Sequence, residues 1–174
     1  MNHDLYSDAY IADILSSHRT IAMVGASPNA SRPSYFAMKY LLTKGFRVIP
    51  VNPGHAGKDI LGQTVYATLA DIPGPVDIVD IFRNSEAALP ITRDAISIGA
   101  RVVWMQLGVR NGEAAKLAEE AGLKVVMNRC PKIEYGRLSG ELGWAGVNSR
   151  MLSSKRPVLG AKGVQHRVLK ATGV

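Results

Sequence analysis

The chain has 174 residues, of which 47% are apolar and 20% are charged. This length and composition are typical of one globular domain with a substantial core. No apolar run is long enough to span a bilayer, and the N-terminus lacks the basic and apolar segments of a secretion signal. The single cysteine, Cys130, cannot form an internal disulfide, so we expect a reducing, cytoplasmic location.

The net charge of +7 is concentrated near the C-terminus. Residues 1–141 carry 15 Lys and Arg against 14 Asp and Glu, whereas residues 142–174 carry six basic residues and no acidic one. These cations are spread singly and lack the aromatic neighbours that stack bases in single-strand binders, so we expect no nucleic-acid binding. The pattern predicts a domain over residues 1–140 and a basic extension over 141–174, which a protein partner or a second subunit could contact.

An opening helix over residues 7–17 precedes a strand–turn–helix–strand unit. A hydrophobic run over 20–28 breaks into a turn at Gly25, helix-period apolar residues occupy 35–44, and a second hydrophobic run covers 46–53. This is about the length of a nucleotide-binding βαβ crossover. A glycine at that position lets the chain turn tightly, and the amides beyond it can face a phosphate. A phosphate-bearing cofactor is therefore the leading hypothesis.

The alternation of strands and helices continues to about residue 127. Glycines at helix ends, capping residues at helix starts and β-branched runs between them mark the elements. The pattern predicts an α/β fold, a Rossmann-like doubly wound parallel sheet of about five strands with helices on both faces. The predicted elements are a short helix over 68–73, strands over 76–82, 101–106 and 123–127, and helices over 85–98, with Ser85 as N-cap, and 111–121.

The glycine-rich turn departs from the usual dinucleotide fingerprint. If Gly25 is the first glycine of that fingerprint, Ser27 stands at the second position and Ala30 at the third. Ser27 adds a side chain where a pyrophosphate would approach, but also a hydroxyl donor. An NAD-binding unit also needs an acid at the end of the second strand, where this chain has Asn52. The residues alone indicate a phosphorylated nucleotide other than NAD.

In a parallel sheet, ligands bind beyond the carboxyl ends of the strands. The five loops at that edge cover residues 25–32, 52–58, 83–85, 107–110 and 128–132, and they contain cations, Gly and Pro but no Asp or Glu. They therefore offer no acid–base carboxylate and no carboxylate ligand for a metal, and we expect neither catalytic residues nor a metal site. This composition favours the holding of an anion.

Five motifs in these segments occur together in a known family. The chain resembles the small single-domain CoA-binding proteins, which are similar to the CoA-binding domain of the succinyl-CoA synthetase α subunit. The resemblance covers about residues 10–138 and implies a Rossmann-like fold with coenzyme A as the ligand. It does not imply a reaction. The matching runs are VGASP with RPSY (24–28 and 32–35), VIPVNP (48–53), VDIFR (79–83), VWMQLGV (103–109) and MNRCPK (127–132).

The chemistry of CoA accounts for both departures. CoA carries an ADP pyrophosphate and a ribose 3′-phosphate, which an acid in place of Asn52 would repel. Where the synthetase pattern has a lysine, this chain has His55, which is mostly uncharged at pH 7, and Lys58 or Arg32 is the candidate to supply the charge instead. The predicted CoA-binding residues are Gly25, Ala26, Ser27, Arg32, Asn52, Pro53, His55, Lys58, Phe82, Arg83, Gln106 and Gly108.

Two classes of function remain open. The first is a CoA- or acyl-CoA-binding module without chemistry of its own, which acts as a carrier, sensor or partner. The second is an enzyme, either an NAD(P)-dependent oxidoreductase or an accessory subunit of CoA-ligase chemistry. The absence of a nearby His favours a structural role for Cys130 over a nucleophilic one, although Arg129 and Lys132 would favour its thiolate. Phe82 suits adenine contact and core packing equally, and Arg83 could pair with Glu86.

Overall fold

The computed structural model describes residues 2–140, and the predicted basic extension over 141–174, with any partner it contacts, lies outside these residues. Two 3-10 turns, Pro53–His55 and Leu69–Asp71, join the regular elements. In chain order these elements are α1 (Asp8–Ser17), β1 (Thr20–Val24), α2 (Pro33–Thr43), β2 (Arg47–Val51), β3 (Asp59–Ile60), β4 (Gln63–Thr64), β5 (Ile78–Ile81), α3 (Ser85–Ser97), β6 (Val102–Met105), α4 (Gly112–Glu120), β7 (Lys124–Val126) and α5 (Pro131–Leu138).

Five of the strands form a parallel sheet in the order β2-β1-β5-β6-β7. Apolar side chains pack on both faces of this sheet, because successive residues of a strand point to opposite sides. In β6, Val102 and Trp104 belong to the cluster under α1 and α2, whereas Val103 and Met105 belong to the cluster under α3 and α4. The predicted Rossmann-like fold is confirmed.

Three of the described helices begin after a residue whose side chain caps them, and one of these caps differs from the predicted residue. Ser7 caps α1, and Asn111 caps α4 by accepting a hydrogen bond from Ala114 N at 2.9 Å. The predicted N-cap Ser85 is wrong, because Asn84 caps α3. Ser85 is the first helical residue, and its hydroxyl accepts from the backbone N–H of Arg110 instead.

The structure contains two elements that the sequence pattern did not predict. The first is a hairpin of β3 and β4, whose turn residues Leu61 and Gly62 both have positive φ, as tight hairpin turns require. Its two-residue strands are too short to show an alternating pattern. The second is α5, which starts at Pro131. Proline is a favourable first helical residue, but in a sequence it equally indicates a loop.

The connection between strands creates a crevice at one edge of the sheet. From β1 the chain passes through α2 to β2 on one side, and it later returns to β5 on the other side of β1. The helices that follow β1 and β5, α2 and α3, lie on opposite faces of the sheet, and such a switch point is where open α/β sheets bind ligands. Among the helices within residues 2–140, none combines the length and the apolar character needed to cross a membrane.

Candidate functional site

Gly25 lies at the switch point, in close contact with the end of β5. Its φ is +89°, and a Cβ at this position would lie 2.4 Å from the carbonyl oxygen of Phe82 and 2.9 Å from Cδ of Arg83. Only glycine fits both the backbone angle and the space. The loops after β1 and β5 are thus pressed together, which brings three of the predicted residues into one place.

Asn52 ties the loop after β2 to the same place. Its side-chain nitrogen donates to Ala26 O at 2.7 Å, and its side-chain oxygen accepts from Gly54 N at 3.0 Å. The backbone N–H of Gly25 donates to Val51 O at 2.9 Å. Since both ends of the Asn52 amide already have protein partners, this side chain holds the turn in shape.

The N-terminus of α2 opens beside this turn. Arg32 occupies the N-cap position without a capping side-chain bond, and Pro33 is the first helical residue. Ser27 is held by its N–H, which donates to the Ser34 hydroxyl at 3.2 Å, while its own hydroxyl accepts from Asn29 N at 3.2 Å. The positive end of the α2 dipole, next to this exposed arginine, attracts anions.

A cavity of about 530 Å³ lies between α2, α5 and the ends of β5 and β6. Three predicted residues, Phe82, Arg83 and Gln106, line it. Phe36 and Leu107 belong to its wall although they are 52% and 54% exposed. The remaining lining residues are Ser31, Pro33, Ala37, Val109, Cys130, Lys132 and Ile133.

Beneath Gln106 lies a carboxyl group that the loop sequences did not reveal. Asp80, in the middle of β5, is fully buried, and Gln106 Nε2 donates to its two oxygens at 2.9 and 3.1 Å. Burial raises the pKa of Asp80 to about 8, partly offset by the bond from Gln106. The expected absence of carboxylates applied only to the five loops at the carboxyl ends of the strands, and Asp80 lies within a strand. An acid within an apolar strand run was the signal that could have located this one.

Cys130 lies at the N-cap position of α5 and on the cavity wall, 8% exposed. Burial raises the pKa of its thiol, and the nearby charge of Asp80 raises it further. Hydrogen bonds from the N–H groups of Ile133 and Lys132 lower it only in part. The thiol is therefore protonated near neutral pH, which agrees with a structural role.

Arg83 and Arg129 differ in the contacts that their guanidinium groups make with the protein. Arg83 is exposed, and within residues 2–140 it makes no salt bridge with Glu86. Arg129 lies 3.7 Å from the buried carboxylate of Glu134 and over the ring of Tyr6. Arg83 therefore remains available to an anion at the crevice, whereas Arg129 has protein partners.

Four further predicted residues, Pro53, His55, Lys58 and Gly108, are not among the residues that line the cavity. Pro53 and His55 form a 3-10 turn, and Lys58 precedes the β3–β4 hairpin. His55 Nδ1 is buried without a hydrogen-bond partner within the described chain. Gly108 is exposed, and its N–H donates to the side-chain oxygen of Asn128 at 2.8 Å. A ligand reaching His55 and Lys58 would have to extend along the edge from α2 past β2.

These features define a Rossmann-like α/β domain with a ligand crevice at its switch point and an apolar cavity beside it. The family described as "CoA binding domain" matches residues 19–136. The chain belongs to this CoA-binding domain family.

Relatives of the chain include both small proteins and a part of a large enzyme. Uncharacterized protein YneT of Bacillus subtilis is 36% identical over 129 residues, which are 74% of this chain and 94% of that protein. The structure of a hypothetical protein from Pyrococcus horikoshii OT3 is 42% identical with a TM-score of 0.75, covering 79% of this chain and 95% of that one. The dinucleotide-forming acetyl-coenzyme A synthetase 1 of Ca. Korarchaeum cryptofilum, solved with phosphate and ADP, is 25% identical with a TM-score of 0.53, covering 61% of this chain and 25% of that one.

Proposed function

We propose that this protein binds coenzyme A across the switch-point crevice. The observation that carries the proposal is the juxtaposition of an anion-attracting helix N-terminus, at Arg32, with an apolar cavity a few residues further along α2. CoA has groups that match these two features, with phosphates at one end for the helix N-terminus and the pantetheine arm at the other end for the cavity. Membership of the CoA-binding domain family supports the same ligand.

The phosphates are assigned to the loops and the helix N-terminus. Ser27, Arg32 and the positive end of the α2 dipole would hold the pyrophosphate, and Arg83 would approach it across Gly25. Lys58 and His55 are candidates for the 3′-phosphate. Gly25, Ala26, Pro53 and Gly108 would contribute backbone contacts or close approach, and Phe82 and Gln106 would contact the ligand at the cavity.

The protein acts as a binding module rather than a catalyst in this proposal. A protonated, buried Cys130 is a poor nucleophile, and Asp80 is covered by Gln106. A module of this kind would serve as a carrier, a sensor or a partner of an enzyme. A lone free thiol also suits a reducing compartment such as the cytoplasm.

Calorimetry with CoA, dephospho-CoA and NAD at one salt concentration tests the ligand. We expect CoA to bind best, because only CoA carries the 3′-phosphate. Arg32→Ala should weaken CoA binding by about 1.5–3 kcal/mol, the range for charged hydrogen bonds. The matched control is Arg47→Ala, which removes an exposed arginine at the opposite end of the strands.

Three outcomes would contradict the proposal. Equal affinity for CoA and dephospho-CoA would show that the protein makes no favourable contact with the 3′-phosphate. Tighter binding of NAD would favour an NAD-dependent oxidoreductase instead. Equal effects of Arg32→Ala and Arg47→Ala would remove Arg32 from the site.

A further inference from the structure

We propose that the cavity beside the crevice is a subsite for an apolar acyl group, so that the ligand retained by this protein is an acyl-CoA thioester rather than free CoA. The inference rests on the proposed CoA binding. It adds the class of group that the thiol end of the ligand carries.

The walls of the cavity are mainly apolar and partly uncovered. Of the large hydrophobic side chains exposed within residues 2–140, namely Leu5, Phe36 and Leu107, two line this cavity. Exposed apolar surface is unfavourable in water, and a ligand that covers both side chains would relieve this cost. A volume of about 530 Å³ falls in the range of pockets that bury small organic ligands.

The position of the cavity suits the far end of a CoA molecule. Ser31 and Pro33, at the start of α2, form the wall next to the proposed phosphate site, while Phe36 and Ala37 lie one turn further along. An arm that leaves the phosphates along α2 therefore enters the cavity from this side. Its end would lie near Ile133, at the start of α5.

Gln106 supplies a polar contact on this route. The residue is only 6% exposed, and its side-chain nitrogen is engaged by Asp80. Its side-chain oxygen has no partner among residues 2–140, yet it is not one of the fully enclosed polar atoms. This oxygen is available to accept from an amide N–H, a group that the pantetheine arm provides.

Two cations, Arg83 and Lys132, line the cavity, and each also contacts another part of the protein. The stem of Arg83 packs against Gly25, on the phosphate side. The Lys132 ammonium lies 5.8 Å from the centre of the Tyr40 ring, which already offers it a cation–π partner. The deeper wall is formed by Ala37, Val109 and Cys130.

The experiment measures affinities for CoA, acetyl-CoA, butyryl-CoA and succinyl-CoA. We expect binding to strengthen about fourfold for each methylene buried, from acetyl to butyryl. Succinyl-CoA, with the same number of carbons as butyryl-CoA, should bind more weakly because its carboxylate would lose water in an apolar cavity.

Variants locate the subsite. Leu107→Ala and Phe36→Ala should each lower the ratio of butyryl-CoA to CoA affinity several-fold. Leu5→Ala, which removes an exposed leucine elsewhere, should leave this ratio unchanged. Far-ultraviolet circular dichroism confirms that each variant is folded.

The outcomes separate this inference from the proposed function. Equal affinities for CoA, acetyl-CoA, butyryl-CoA and succinyl-CoA would overturn the acyl subsite but would leave CoA binding intact. Preference for succinyl-CoA overturns the apolar class. An unchanged ratio in both wall variants places the acyl group elsewhere. Failure of every ligand to bind overturns the proposed function and this inference together.

Discussion

Asp80 is the residue whose surroundings differ most from its usual preference. It lies between Val79 and Ile81 in β5, with no exposed surface, and Gln106 is its hydrogen-bond partner. Burial without a cationic partner favours the neutral acid, which explains the pKa of about 8. Asp80 therefore orients the Gln106 amide. Its burial also lowers the stability of the folded protein, by an amount that depends on pH.

The first prediction concerns this cost. The folded protein holds a proton on Asp80 up to pH about 8, whereas the unfolded chain releases it near 3.8. Between these values the folded state binds more protons, so the contribution of Asp80 to stability falls as pH rises, by up to about 1.4 kcal/mol per pH unit. Asp80→Asn should remove this slope. Denaturant unfolding of both proteins at pH 5–9 measures it.

Comparison at each pH cancels the titration of other groups, including His3, whose pKa is lowered mainly by burial. The difference in unfolding free energy between Asp80→Asn and the original chain should grow from pH 5 to pH 8 and then level off. A difference that is constant across this range would show that Asp80 is ionised throughout.

At the scale of elements, two tyrosines protect the exposed edge of the sheet. β7 is an edge strand, and unpaired edge groups invite association. The Tyr10 hydroxyl donates to Val125 O at 3.2 Å and accepts from Val125 N at 3.1 Å, and Tyr6 accepts from Met127 N at 2.8 Å. Burial raises the pKa of both phenols, so they remain neutral. The segment around α1 thus completes the sheet through side chains.

We predict that Tyr10→Phe destabilises the protein by about 1–3 kcal/mol, because it leaves the N–H and C=O of Val125 without their partner. The matched control is Tyr35→Phe, whose hydroxyl makes no hydrogen bond within residues 2–140. Chemical denaturation measures both. Equal stability of the two variants would mean that water replaces the Tyr10 hydroxyl at this edge without loss.

At the scale of the molecule, α5 ties the end of the described residues to their beginning. Arg137 contacts Asp8 of α1 at 2.8 Å and the buried carboxylate of Glu134 at 2.8 Å. The Tyr135 ring packs edge-on against Phe46 at 5.5 Å. The last described helix is therefore anchored to the start of the chain and to the core. The domain boundary near residue 140 stays a prediction.

We predict that a chain ending at Gly140 folds, unfolds at the same denaturant midpoint as the full chain and keeps its CoA affinity. A chain ending at Cys130, which lacks α5, should lose several kcal/mol or fail to fold, because Tyr135 and the Arg137 contacts are removed. Loss of folding in the chain ending at Gly140 would place part of residues 141–174 in the domain. Loss of CoA binding with the fold intact would place it in the site.

The sequence by itself determined most of the elements and the edge of the sheet at which the candidate site lies. Hydrophobic periodicity, caps and turn glycines such as Gly25 act within a few residues, so they can be read locally. The five loops follow from the rule that parallel strands share one carboxyl edge. The individual CoA contacts, including Arg32 and Lys58, stay predictions.

Only the tertiary structure decided which side chains meet. Asp80 and Gln106 are 26 residues apart, and Tyr10 and Val125 are 115 apart, so their contacts depend on strand order and register. The cavity likewise requires α2 and α5 to lie side by side, although α5 was not predicted at all. Local sequence sets the conformation of each segment, whereas burial, which shifts the pKa of Asp80, arises only when distant segments pack together.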